Sequence, residues 1–152
     1  MQYWLFKSEP SCFSITDLSR SSGRTSPWDG VRNYQARNMM RDDMQVGDRG
    51  FFYHSSCTPP GIAGVVEIVK AGYPDETAWD SHSDHFDPKS TPEKPRWYRV
   101  DVKLVQLFPR LITLAELKQQ PALTSMLINR KGNRLSITSV TATEWQAVMA
   151  LL

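Results

Sequence analysis

The chain has 152 residues, 40% of them hydrophobic and 22% charged, with 18 Lys and Arg against 16 Asp and Glu for a net charge of +2. A chain of that size buries a core without disulfides or metal, and no stretch approaches the length needed to span a bilayer. The near-neutral total singles out no class of partner, so any preference must come from local clusters. Residues 75–95 are acid-rich (Asp75, Glu76, Asp80, Asp84, Asp87 and Glu93 against Lys89 and Lys94), while the segment from Arg96 onward is basic. This asymmetry fits one face for an anion, and it equally fits ordinary solvated faces.

In chain order, Tyr3–Phe6 is aromatic and aliphatic throughout and reads as a central strand ended by Lys7-Ser8-Glu9-Pro10. The opening run is too short for a secretory leader and lacks a small-residue cleavage site. Ser14 with Asp17 signals a short helix that turns Ile15 and Leu18 inward. Residues 20–27 are rich in Ser, Gly and Arg and are expected to form a mobile loop. A helix is predicted over Asn33–Asp43, with Ala36, Met39 and Met40 on the buried side and Asn33, Arg37 and Arg41 aligned on another. Val46-Gly47-Asp48 is a turn, Gly50–Ser55 a strand, Pro59-Pro60-Gly61 a sharp connection, and Ile62–Val69 an interior strand.

Farther along, Trp97–Val105 alternates, with Tyr98, Val100, Val102 and Leu104 facing one way and Arg99, Asp101 and Lys103 the other. Thr113 with Glu116, and Thr141 with Glu144, are capping boxes; the second opens a terminal helix striped by Trp145, Val148, Met149 and Leu152. A short strand is predicted near Arg134–Ile137. Five or six strands with three or four short helices, not in strict alternation, predict one α+β domain over 1–152. Its sheet is expected to be curved and mostly antiparallel, or a small barrel. Cys12 and Cys57 have no metal or redox spacing, so a reducing, cytoplasmic setting and free thiols are expected.

The most informative stretch is Trp28-Asp29-Gly30-Val31-Arg32-Asn33-Tyr34. Asp-Gly is a turn signal, because glycine accepts positive φ and aspartate bonds its own backbone. The turn holds an indole, a guanidinium and an amide together, the parts of a pocket for a flat heterocycle. The plainer alternative is a structural turn whose tryptophan fills the core. Polar groups gather at two strand ends, Lys7-Ser8-Glu9 and Tyr53-His54-Ser55. Lys7 suits a phosphate or a base oxygen, Glu9 an exocyclic amine, and Ser8 and Ser55 either; otherwise Lys7 and Glu9 form only a weak surface pair. Asp80–Asp87, with His82, Asp84 and His85, crowds metal-ligand types without tetrahedral spacing, and a solvated or capping loop is the better reading. No phosphate-binding glycine loop or catalytic triad is present, and neither a metal nor a cofactor is expected.

Seven motifs in register resemble the EVE domain: Tyr3–Pro10, Trp28–Arg37, Phe51–Ser55, Gly61–Gly64, Tyr73-Pro74-Asp75, His85–Pro88 and Arg134–Ser136. The resemblance runs from Tyr3 to the C-terminal helix. It implies a PUA-like fold, shared with YTH and ASCH domains, and binding of modified DNA or RNA, single-stranded or with a flipped base, in an aromatic-walled pocket. In YTH relatives a Lys-Ser pair closes the first strand and a cage tryptophan follows; Lys7-Ser8 and Trp28 stand in the corresponding places. Where those relatives carry an amide this chain has Glu9, which only accepts and so favours a base presenting an N–H.

The base site expected from this comparison is Lys7, Ser8, Glu9, Trp28, Asp29, Val31, Arg32, Asn33, Tyr53, His54, Ser55 and Trp97. The second wall stays open among Trp97, Trp79 and Tyr53. Arg37, Arg41, Arg130, Lys131 and Arg134 are the expected phosphate contacts, with Arg32 also able to reach the backbone. Trp28→Ala is expected to abolish discrimination without unfolding. A monomer that binds without catalysis is expected. The rival is an amidohydrolase on modified nucleosides, as in some ASCH relatives, using Lys7, Glu9 and His54.

Overall fold

β1 (Tyr3–Ser8) sorts its side chains by parity, sending Trp4 and Phe6 into one core and Leu5 into another on the far side of the sheet. The computed structural model describes residues 1–152. β3 (Arg49–His54) runs parallel to β1 in a register that sets Lys7 opposite Tyr53 and Ser8 opposite His54. A parallel pair needs a long crossover. Residues 9–48 supply it with α1 (Ile15–Arg20), edge strand β2 (Thr25–Trp28), α2 (Tyr34–Asn38) and a wide turn of π-helix at Met39–Asp43.

The remaining pairings are antiparallel. β4 (Gly61–Pro74) lies between β3 and β5 (Tyr98–Thr113), β2 flanks β5, and β6 (Ile137–Val140) flanks β1, giving the order β2-β5-β4-β3-β1-β6. Register shifts between Phe52 and Tyr53 and at four points along β4–β5 bend the sheet. It stays open, with β2 and β6 as its edges, so the fold is α+β and PUA-like with a curved sheet in place of a closed barrel. α3 (Leu114–Lys118) and α4 (Ala142–Met149) cover the second core, where Phe51 stacks on Trp145 at 3.9 Å. No helix is long and apolar enough to cross a membrane.

Several elements differ from their sequence reading. The expected loop at 20–27 holds a 3-10 turn (Ser22–Arg24) and then β2, whose residues Ser26 and Trp28 pair with Val102 and Val100; an exposed neighbouring strand overrides the loop-like composition. The helix expected over Asn33–Asp43 begins after Asn33, whose side chain caps it by accepting from Ala36, and widens into the π-turn at Met39. β4 and β5 run longer than their apolar cores, to Pro74 and Thr113, and β6 begins at Ile137. Ser14–Asp17 and Thr141–Glu144 form reciprocal capping boxes. Thr113 caps α3 alone, because the Glu116 carboxylate is held by Arg110 at 2.7 and 2.9 Å.

Candidate nucleic-acid interface

Where β1 ends, the chain leaves the sheet and opens a hollow of about 700 Å³, bounded by Lys7-Ser8-Glu9, Cys12, Phe13, residues 26–32, His85 and Ser136. That volume is in the range of small-molecule sites, about 300–1,000 Å³. Trp28 is its aromatic floor. The indole is 8% exposed and meets Phe6, Phe52 and Phe13 edge-on at 5.2, 5.4 and 6.4 Å. Ser8 donates to the Phe13 carbonyl at 2.6 Å, tying the lip of the hollow to the start of the crossover.

The wall is the Asp29-Gly30 turn. Gly30 sits at φ +75°, a conformation that favours glycine, and a Cβ there would lie 2.5 Å from the His85 ring and push it aside. Its N–H donates to Asp75 at 2.9 Å. Asp75 is fully buried and also accepts from Arg32 at 3.1 Å and from the Thr77 amide and hydroxyl at 3.0 and 2.6 Å. Burial alone would push this carboxyl up; the hydrogen bonds from Thr77, Gly30 and Arg32 outweigh it and hold the carboxyl below its usual range. Arg32 forks onto the His85 carbonyl at 3.2 and 2.6 Å, so the guanidinium binds the turn to the loop carrying His85. Arg99 approaches Asp29 at 3.7 Å and Asp75 at 3.9 Å. Even so, burial and the charge of Asp75 raise the Asp29 carboxyl above its ordinary value.

The rim carries the free chemistry. Burial pushes the Lys7 ammonium below its usual pKa, and it has no carboxylate partner: the Lys7–Glu9 pair is not formed. Glu9 is exposed, with only the Cys12 thiol at 3.9 Å. A desolvated cation and an acceptor on one rim can address the carbonyl and the amino edge of a planar base.

Of the residues expected at the base site, Lys7, Ser8, Glu9, Trp28, Asp29, Val31 and Arg32 border this hollow. The others do not. Strand alternation turns Tyr53 to the opposite face, where it and Ser55 border a second hollow; burial pushes the Tyr53 hydroxyl up to about 12. His54 lies beside Phe52 and accepts the Ile15 amide on Nε2 at 3.2 Å, with burial lowering its pKa; both favour the neutral ring, and the bond occupies the lone pair a base would use. Asn33 uses its carbonyl oxygen to cap α2 and does not border the hollow.

Trp97 donates to Asp87 at 2.7 Å and stacks on Tyr34, so its ring braces the Arg32 side of the wall without facing the hollow. Neither Tyr53, Trp97 nor Trp79 supplies a second wall; the other rings present are Phe13 and His85. Sequence reasoning missed these two as site residues, together with Ser136, although His85 and Ser136 stood inside recognised motifs.

Among the expected phosphate contacts, Arg37 is engaged with Asn38 and the Arg96 carbonyl, and Arg41 with Asp42 at 2.7 and 2.8 Å. Arg130 and Lys131 border the second hollow, and Arg134 is exposed. In the acidic loop no three metal-binding side chains converge. Asp80 and Asp87 accept from the backbone of His82 and Lys89 instead.

The chain is 43% identical to human thymocyte nuclear protein 1 over 98% of its own length and 73% of that protein. Among solved structures, a Pseudomonas syringae protein superposes with a TM-score of 0.92 at 52% identity, covering 98% of both chains. The human THYN1 protein, solved in complex with DNA containing 5-methylcytosine, superposes with a TM-score of 0.92 at 42% identity over 99% of this chain and 97% of that one. An ASCH protein of Zymomonas mobilis shares the fold alone, at 13% identity and a TM-score of 0.56. The EVE domain profile matches residues 2–151, and the chain belongs to the EVE domain family.

Proposed function

We propose that this protein binds DNA carrying a methylated base, without altering it, and seats that base in the hollow at the end of β1. The observation that carries the reading is an unpaired, desolvated Lys7 with Glu9 above an aromatic floor, in a fold matching a human protein solved with 5-methylcytosine DNA. The base enters over Trp28 and Phe13, with its carbonyl toward Lys7 and its amino group toward Glu9. Val31 and Pro27 supply apolar contact for the methyl group. Unstacking a base from a duplex costs a few kcal/mol, so single strands and pre-opened duplexes bind best. Turnover is disfavoured, because His54 is tied to the start of α1 and does not border the hollow that holds Lys7 and Glu9.

Burying one methyl is worth about 1 kcal/mol, so the gap between modified and plain DNA is expected to be roughly fivefold. The test is a titration of matched single-stranded oligonucleotides, one with 5-methylcytosine and one with cytosine, in parallel with their RNA counterparts. Equal affinity for the modified and plain DNA would overturn the reading, and a larger gap on RNA would transfer it to RNA. Product detected by mass spectrometry after incubation with modified nucleosides would replace it with the hydrolase.

A further inference from the structure

The second hollow, about 440 Å³, lies on the opposite face of the sheet, and Lys7 borders both cavities. Its rim carries Lys7, Lys118, Arg130 and Lys131, with Ser55, Ser56 and Asn133, and not one carboxylate. None of the four cations is ion-paired, whereas Arg32, Arg41, Arg49, Arg96, Arg99 and Arg110 all are. Four unneutralised cations with hydroxyls around a concavity raise its potential and suit a tetrahedral oxyanion. The segment following Arg130 links the cavities directly: Lys131 and Asn133 border the second, Ser136 the first, and the Ser136 carbonyl accepts the Lys7 amide at 2.9 Å.

We propose that the second hollow is a phosphate subsite that receives the backbone phosphodiester flanking the held base, with Lys118 as a contact that sequence reasoning did not single out. The proposal rests on the reading that the first hollow takes the base. Lys7 stands at the point where the strand passes from one cavity to the other, so base and phosphate share one cation. A strand held this way is fixed in register, since only the linkage next to the modified base reaches the basic rim.

The test uses the full chain and oligonucleotides in which single linkages are replaced by neutral methylphosphonate. Neutralising a linkage beside the 5-methylcytosine is expected to weaken binding about tenfold, and neutralising one three nucleotides away to leave it within twofold. Lys118→Gln/Lys131→Gln is expected to lower affinity for modified and plain DNA together, and to flatten the log–log salt dependence by about 1.4. The single variant Lys118→Gln is expected to keep the modified-to-plain ratio.

The salt measurement on plain DNA does not depend on base discrimination, so its outcome is separable from failure of the base-site reading. An unchanged salt slope in the double variant would overturn the subsite, as would equal losses at every linkage or none. If inorganic phosphate shifts the Lys118 and Lys131 resonances while neutral linkages have no effect, the hollow takes a free anion and the assignment to DNA is wrong.

Discussion

At residue scale the candidate site depends on two positions where substitution is costly. Gly30 has a left-handed backbone, and a β-carbon there would push the His85 ring aside. Gly30→Ala is expected to lower stability by about 1–3 kcal/mol, measured by urea denaturation, and to weaken DNA binding through displacement of His85. Trp28 is the other. The sequence presents it as a free stacking wall, whose alanine variant should fold normally. Enclosed by Phe6, Phe13 and Phe52, it is instead part of the core, and Trp28→Ala is expected to cost about 3–5 kcal/mol in stability. A variant as stable as the parent would contradict that burial. The rim residues are the cleaner probes. Glu9→Gln replaces an exposed acceptor-only group with one that also donates, and is expected to weaken binding of modified and plain DNA alike, keeping their ratio, without moving the denaturation midpoint.

At element scale, the unit that shapes the site is the turn after β2 locked to the 75–87 loop by one buried carboxylate. Asp75 joins Gly30, Arg32 and Thr77, and Arg32 carries the connection on to the His85 carbonyl. Removing the carboxylate strips the Gly30 amide, both Thr77 donors and the Arg32 guanidinium of their shared acceptor, so Asp75→Ala is expected to destabilise by about 2–4 kcal/mol. A double-mutant cycle with Arg32→Ala should give a coupling energy of at least about 1 kcal/mol, and additivity would dissolve the unit. The same carboxylate sets an acid limit. Its folded pKa lies below its usual 3.8, so its stabilisation is fully present above that value and disappears as pH falls through the folded pKa. Melting temperature is therefore expected to fall steeply below about pH 4, with a shallower acid slope in Asp75→Asn. A parallel slope in that variant would assign the acid transition to other carboxylates.

How much of this was legible in the sequence follows from the range of the interactions. The strand cores, the three capping residues and the Asp-Gly turn are local, and each was visible in composition or spacing. β2 was not: Thr25-Ser26-Pro27 has no strand pattern and is extended only because β5 offers an edge. The bond from Arg32 to Asp75 was hidden for a similar reason, since the two lie far apart in sequence. Parity could have placed Tyr53 correctly, because alternation from the buried Phe52 turns it to the other face; reading Tyr53, His54 and Ser55 as one polar cluster ignored that rule.

Considered as a whole molecule, one open sheet carries a core on each face and a hollow at the mouth of each, with Lys7 between them. The sheet order accounts for this: placing β1 beside β3 in parallel brings two polar strand ends to the same end of the sheet, and pleating divides their side chains between the faces. The most direct check is a two-dimensional amide-resonance titration of the protein with a 5-methylcytosine oligonucleotide and its plain counterpart. The expected result is that the differences between the two titrations concentrate at Lys7–Glu9, Phe13, Gly30–Arg32 and His85. Differences that fall elsewhere on the chain, with those resonances unmoved, would contradict a base seated at the end of β1.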